Sequence, residues 1–189
     1  MAVQLAPSQT ETLVTGEELL ASGRSDLCEL VEGRIVPMSP TGLRHGDYES
    51  NFDVALKAFV KSRRLGKVLV GEVGLYTHRN PDTVRAADVA FISHERLARQ
   101  PKGGSFLEVA PELIVEILSP DDRWSDVTQK LREYFAVGVK LVWVADPEAR
   151  VVYAYRSLTD VREFSLADTL TGDEILPEFS APVAALFEE

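Results

Sequence analysis

With 189 residues the chain is long enough to form one domain around a proper hydrophobic core. Its apolar fraction of 45% and charged fraction of 26% exclude a disordered tract, a fibre and a disulfide scaffold. A net charge of -10 argues against a basic nucleic-acid coat, but not against a nuclease, whose site must itself collect carboxylates to hold cations. The single cysteine, Cys28, has no partner for an internal disulfide or a zinc site and reads as a small buried strand residue. With no signal peptide and no apolar run of ~20 residues, the expected protein is cytoplasmic and does not bind membranes.

Residues 1–13 read as a loose terminus, and residues 14–189 as a single domain. Thr15 followed by Glu18 forms a capping-box pattern that opens a short helix, which Gly23 ends. CELVEGRIVPMS predicts a hairpin turning at Glu32-Gly33, with Pro37 and Pro40 closing its second strand. From Leu43 to Arg64 the periodicity is helical. Tyr48, Phe52, Ala55, Leu56 and Phe59 form its apolar stripe, and His45 and Glu49 lie one turn apart near its edge. The two also read as an ordinary i, i+4 surface pair.

KVLVGEVGLYT and AADVAFIS are strands joined through the turn chemistry of Asn80-Pro81-Asp82. KGGS, Lys102 to Ser105, lacks the length and setting of a phosphate cradle and reads as a turn. PELIVEILSP is the best central strand, and a helix from about Asp126 to Ala136 follows, ended by Gly138. VKLVWVADP is the next strand, making the three a crossover unit of parallel strands in a mixed α/β sheet. VVYAYR, REFSLA and DTLTGDEIL add short strands before a final helical turn at PVAALF. Trp124 reads as a loop aromatic and Trp143 as a core residue.

Chemistry concentrates where polar residues interrupt apolar runs. Glu116 stands inside LIVEIL, where an uncompensated carboxylate costs several kcal/mol. Asp88 stands inside AADVAFIS, and alternation places it with Ala90 and Ile92 on one face, as it places Glu116 with Ile114 and Leu118. Lys130 lies on the flank of the following helix, able to lean over the strand end where ligands bind in open α/β sheets. Two acids a few ångström apart repel unless a cation bridges them. Asp, Glu and water are the oxygen set that Mg²⁺ or Mn²⁺ takes, and a lysine beside them can orient water and stabilise a phosphate. For each acid alone, an ion pair with an arginine explains the sequence equally well.

The segments VRAADVAFIS, PELIVEILSPDD and DVTQKLREYFAVGVKLVWVADP resemble the Uma2 family, classed with the PD-(D/E)XK restriction-endonuclease-like nucleases. The VEGRIVPMSP hairpin and the histidine opening the long helix extend the resemblance from about Val14 through Phe187. It implies a restriction-endonuclease-like mixed central sheet flanked by helices, with an extra N-terminal hairpin and short C-terminal strands. It further implies a nuclease hydrolysing DNA with Mg²⁺ or Mn²⁺, in which Asp88 and Glu116 hold the metal and Lys130 completes the catalytic set. His45, Glu49 and Glu72 would be accessory members. Ala87 replaces the proline that often precedes the first acid. Leu118 occupies the place of the usual lysine, whose role would pass to Lys130.

A rival reading is a non-catalytic interaction or regulatory module that keeps the fold and uses the acid pocket for structure. A nuclease should gather cations near the pocket, and Arg44, Lys102, Arg123 and Arg132 are the candidates. Ser119 reads as a strand-end cap, no histidine being expected beside it to act as its base. Folds of this kind pair as homodimers, and the apolar segments after residue 150 could supply an interface.

Overall fold

The computed structural model describes residues 12–23, 28–103 and 106–188. The loose terminus expected over residues 1–13 therefore lies, up to residue 11, outside the described residues, as does the second half of the Lys102–Ser105 turn.

Helix α1 (Gly16–Ala21) begins with the expected reciprocal cap: the Thr15 hydroxyl accepts from the Glu18 N–H, and the Glu18 carboxylate accepts from the Thr15 N–H at 2.8 Å. Thr15→Ala is expected to cost about 1 kcal/mol, read as a lower urea midpoint with unchanged slope. Strands β1 (Cys28–Val31) and β2 (Arg34–Pro37) then pair across Glu32 and Gly33, whose φ angles of 49° and 75° are the two left-handed positions of a tight hairpin turn. Helix α2 (Leu43–Arg63) leads to the long hairpin of β3 (Gly66–His78) and β4 (Thr83–Ser93). One turn of helix, α3 (His94–Leu97), precedes β5 (Leu113–Ile117), α4 (Trp124–Val137) and β6 (Leu141–Asp146). Then come β7 (Val151–Tyr155), β8 (Val161–Phe164), the separate pair β9 (Thr169–Gly172) and β10 (Leu176–Pro182), and α5 (Val183–Leu186).

The result is a mixed α/β fold with a mostly antiparallel central sheet. Its parallel rung is β5 against β6, joined through α4 as the crossover pattern predicts. Alternation divides the core into two layers. Val89, Phe91, Leu113, Val115, Leu141 and Trp143 face α2, where they meet Phe52 and Leu56 together with Leu170, Phe179 and Phe187. Ala90, Ile92, Ile114, Val142 and Val144 face α4 and meet Val127, Leu131 and Tyr134. The apolar residues beyond position 150 are thus largely buried within the chain itself, leaving Leu158 and Val161 as the exposed large ones of that stretch. Strand β10 lies within LPEFSAP, whose two prolines and exposed alternate residues hide it from a periodicity reading.

One irregularity positions everything that follows. Strand β3 runs along one edge of β4 from end to end, while the opposite edge has two partners. Leu30 of β1 pairs with Val84 near the start of β4, and β5 pairs with Val89 to Phe91 near its end. Between them β1 and β5 diverge, and a fork opens along the residues 85–88 of β4. A backbone N–H exposed inside such a fork must find a side-chain acceptor or water.

Candidate active site

Two carboxylates supply those acceptors. Asp88 Oδ2 takes the Ile117 N–H at 2.6 Å, and Glu29 Oε1 takes the Ala86 N–H at 3.0 Å. Glu116 would be the next rung opposite Asp88, since Val89 pairs with Val115. Its side chain points to α4, where Tyr134 donates its hydroxyl to Oε1 at 2.6 Å and Lys130 donates Nζ to Oε2 at 3.0 Å. Lys130 Nζ also lies 3.2 Å from Glu29 Oε1, so the amine bridges the two sides of the fork. Leu118 packs against the α4 layer, and the amine reaches Glu116 from the helix above it.

Behind the lysine stands a buried ion network. Arg85 gives NH1 to Glu29 at 2.8 Å and grips Glu133 of α4 with Nε and NH2 at 2.6 and 2.7 Å. Glu133 also accepts from Thr77 and Gln129. Burial would raise the Glu29 and Glu133 carboxyls, but Lys130 and Arg85 outweigh it for Glu29, and Arg85 does so for Glu133; both stay below the usual carboxylate range. Burial works against the charges of Lys130 and Arg85 too, yet their carboxylate partners hold both above their ordinary values.

At the open end of the fork the balance reverses. Burial pushes Glu116 up to about 7, with Asp88 adding to the rise and Lys130 opposing it. Glu72 and Glu49 are raised by burial and by the Asp88 charge. Glu72 sits in a bulge of β3 with φ 54°, next to Gly71 at φ 86°, and this kink breaks the β3–β4 register between Val70 and Val73. Glu49 reaches the same bulge, accepting the Gly71 N–H at 2.9 Å. His45 does not pair with Glu49 as a surface couple would. Its Nε2 lies 3.4 Å from Asp88 Oδ1, and that bond holds the imidazole above its usual range.

All six residues singled out from the sequence therefore border one fork. Ser119 is corrected: its N–H is held by the Asp122 carboxylate at 2.7 Å, but its Oγ lies 3.4 Å from His45 Nδ1, so a histidine does stand beside it. The folding of α2 back over the end of β5 brings them together across 74 positions of sequence. Trp124 is corrected from a loop residue to the first residue of α4, where it is 54% exposed.

The comparisons with known proteins agree with this architecture. A sequence profile described as "Putative restriction endonuclease" matches residues 17–184. The chain belongs to the Uma2 family. A crystal structure of "a putative nuclease belonging to DUF820" from Anabaena variabilis ATCC 29413 superposes with a TM-score of 0.76 at 21% identity, covering 92% of this chain and 97% of that one. At that identity the likeness establishes the fold. No curated protein matches the chain.

In this Uma2 chain the donor set suits a hard cation. Glu29, Glu49, Glu72, Asp88, Glu116 and Glu133 bring six carboxylates to the fork against the permanent charges of Lys130 and Arg85. Burial is the main cause of the upward pull on Glu49, Glu72 and Glu116, and the Asp88 charge adds to it at each. Among the described residues no three His, Cys, Asp or Glu side chains form a ready cage. The arrangement fits an ion that takes one or two carboxylates and keeps several waters, the habit of Mg²⁺.

Sequence reading missed Glu29, Arg85, Glu133 and Tyr134. Glu29 carried the signal that exposed Glu116, an acid inside an apolar strand, and Arg85 stood in the buried strand of Asp88. Neither could be placed without knowing that β1 pairs with β4. The Leu30 to Val84 rung makes Glu29 and Arg85 the next opposed pair. Among the described residues, no helix is long and apolar enough to cross a membrane.

Proposed function

We propose that this Uma2 protein is a cytoplasmic metal-dependent nuclease that hydrolyses phosphodiester bonds in DNA, with Asp88 and Glu116 as ligands of Mg²⁺ or Mn²⁺. The observation that carries the reading is the convergence of Asp88, Glu116 and Lys130 on one fork whose carboxylates exceed its cations. A divalent cation bound there would acidify a coordinated water and neutralise phosphate charge. The chain's own residues do the rest. Lys130, kept protonated between Glu29 and Glu116, presents positive charge to a phosphate oxygen. Tyr134 orients Glu116 by its hydroxyl, and His45 braces Asp88 at the rim. Glu49 and Glu72 line the mouth and keep the site's field negative.

The test is cleavage of plasmid and linear DNA with Mn²⁺ or Mg²⁺, with Glu116→Ala expected to abolish it and cleavage surviving that change pointing to another site. Metal binding is separable. Calorimetry with Mn²⁺ should show heat lost in Asp88→Ala, and wild-type affinity should rise as pH increases toward 7, because Glu116 must shed its proton to ligate. Equal heats for wild type and Asp88→Ala would reject the ligand assignment.

One observation favours a second reading, a non-catalytic module that keeps the fold. Asp88 and Glu29 each satisfy a backbone N–H, and both Glu116 oxygens are already bonded, as structural acids would be. Wild-type protein that neither binds Mn²⁺ nor cleaves DNA would favour that module.

A further inference from the structure

Away from the acidic fork, further cations gather toward the C-terminal end of α2. From Val54 to Gly71 the chain carries five lysines and arginines and no acid, within a protein of net charge -10. His45, Glu49, Asp53, Lys57 and Lys61 follow one another at four-residue spacing, so they form one ridge that drifts about 40° around α2 at each step and meets the β3 flank at Glu49, Lys57 and Lys61. That flank lies against β3, which runs back in the opposite sense: Gly71 meets Glu49, while Gly66 and Lys67 lie beside Lys57 and Lys61. Lys57, Val60, Lys61, Gly66, Lys67 and Val68 line an open hollow of about 270 Å³ between helix and strand. Lys57 is tied to Asp53 at 2.7 Å, whereas no described carboxylate pairs with Lys61 or Lys67, both exposed.

We infer that the surface along which α2 runs beside β3 is a docking track for the phosphate backbone of a nucleic acid, with the acidic fork at one end and the lysine hollow at the other. The inference rests on the nuclease reading and adds where the substrate lies. Charge complementarity selects the occupant, since a polyanion has few other basic surfaces on so acidic a chain. The dimensions agree from both walls. Twelve residues of helix from Glu49 to Lys61 span about 18 Å. Four residues of strand from Gly71 to Lys67 span about 13 Å. A duplex rises about 3.4 Å per base pair along its axis, so the track would span about four or five base pairs from the fork to the lysines. A backbone anchored there is held while the carboxylates, which would repel it unaided, receive it at the other end.

The test uses full-length protein and the exposed pair Lys61→Glu with Lys67→Glu, binding being followed by fluorescence anisotropy of a 24-base-pair duplex without divalent cation. The variant is expected to keep the wild-type melting temperature, bind more than tenfold more weakly, and lower the slope of log K against log salt by about 2. Its cleavage should show a raised KM with kcat unchanged, and a dinucleotide, whose single phosphodiester is too short to reach the lysines from the fork, should be bound equally by both proteins. Equal binding of the long duplex by variant and wild type overturns the track and leaves the nuclease reading standing. Lysine-dependent binding by a wild type that cuts nothing upholds the track and removes the nuclease reading. A wild type that binds no duplex overturns the track, and one that also cuts no DNA with Mn²⁺ or Mg²⁺ overturns both.

Discussion

Lys130→Met is expected to lower Mn²⁺-dependent cleavage by about 10²–10³-fold, the usual loss when one preorganised charge is withdrawn from a transition state. Methionine keeps most of the stem, so α4 still packs over β5 while the amine between Glu29 and Glu116 is gone. The two carboxylates then face each other with no cation between them, and Glu116 moves above about 7, making it a poorer ligand at neutral pH. Glu29 enters this chemistry only through Lys130. Glu29→Gln preserves an acceptor for the Ala86 N–H but removes one of the two charges that aim the amine. We expect it to cost about tenfold in kcat with KM unchanged, less than the direct loss of a transition-state contact. The decisive measurement is the cycle. If Glu29 acts through Lys130, the double variant cuts no more slowly than Lys130→Met alone; effects that multiply would make Glu29 an independent contributor.

The trio of Asp88, Glu116 and Lys130 that meets at the fork was legible in the sequence because each member violates its local pattern: acids at positions where alternation demands apolar residues, and a lysine on the flank of a helix facing the core. The elements carrying them were legible for the complementary reason, since continuous apolar runs ended by Ser-Pro or Gly leave few alternatives for β5, α4 and β6. What could not be read was relation. Nothing local says that β1 and β5 share one edge of β4, and the fork, which makes Asp88 and Glu29 bond to backbone, follows from that sharing. Ser119 and His45 show the same limit in reverse. The residues were visible, but their contact depends on how α2 returns over the sheet, which no periodicity encodes. The bulge at Gly71-Glu72 belongs here too: it turns a strand residue toward the fork, and its signal was one of two glycines, Gly71 and Gly74, in an apolar run.

Arg85→Leu should produce the largest loss of stability, about 3–5 kcal/mol at neutral pH, because it removes the shared cation of two buried carboxylates rather than a whole neutral network. Against a total stability of roughly 5–15 kcal/mol, much of the chain's margin would go. The pH dependence tests the cause. In wild type, Glu29 and Glu133 are held below their ordinary values, so their contribution is present above the unfolded value of 4.5 and is lost as pH falls through the lowered folded values. Without Arg85, burial acts on Glu133 unopposed by any cation and on Glu29 against Lys130 alone, and the folded values shift upward. Ionisation then penalises the folded state as pH climbs past 4.5. The gap between wild type and variant must therefore be widest near pH 7 and shrink toward pH 4, measured by urea melts at both. Arg85→Lys should fall between them, since an ammonium keeps the charge but cannot fork Glu133 and reach Glu29 together. A gap that stayed constant with pH would mean that the arginine's stem packing, and not its charge, is what the fold requires.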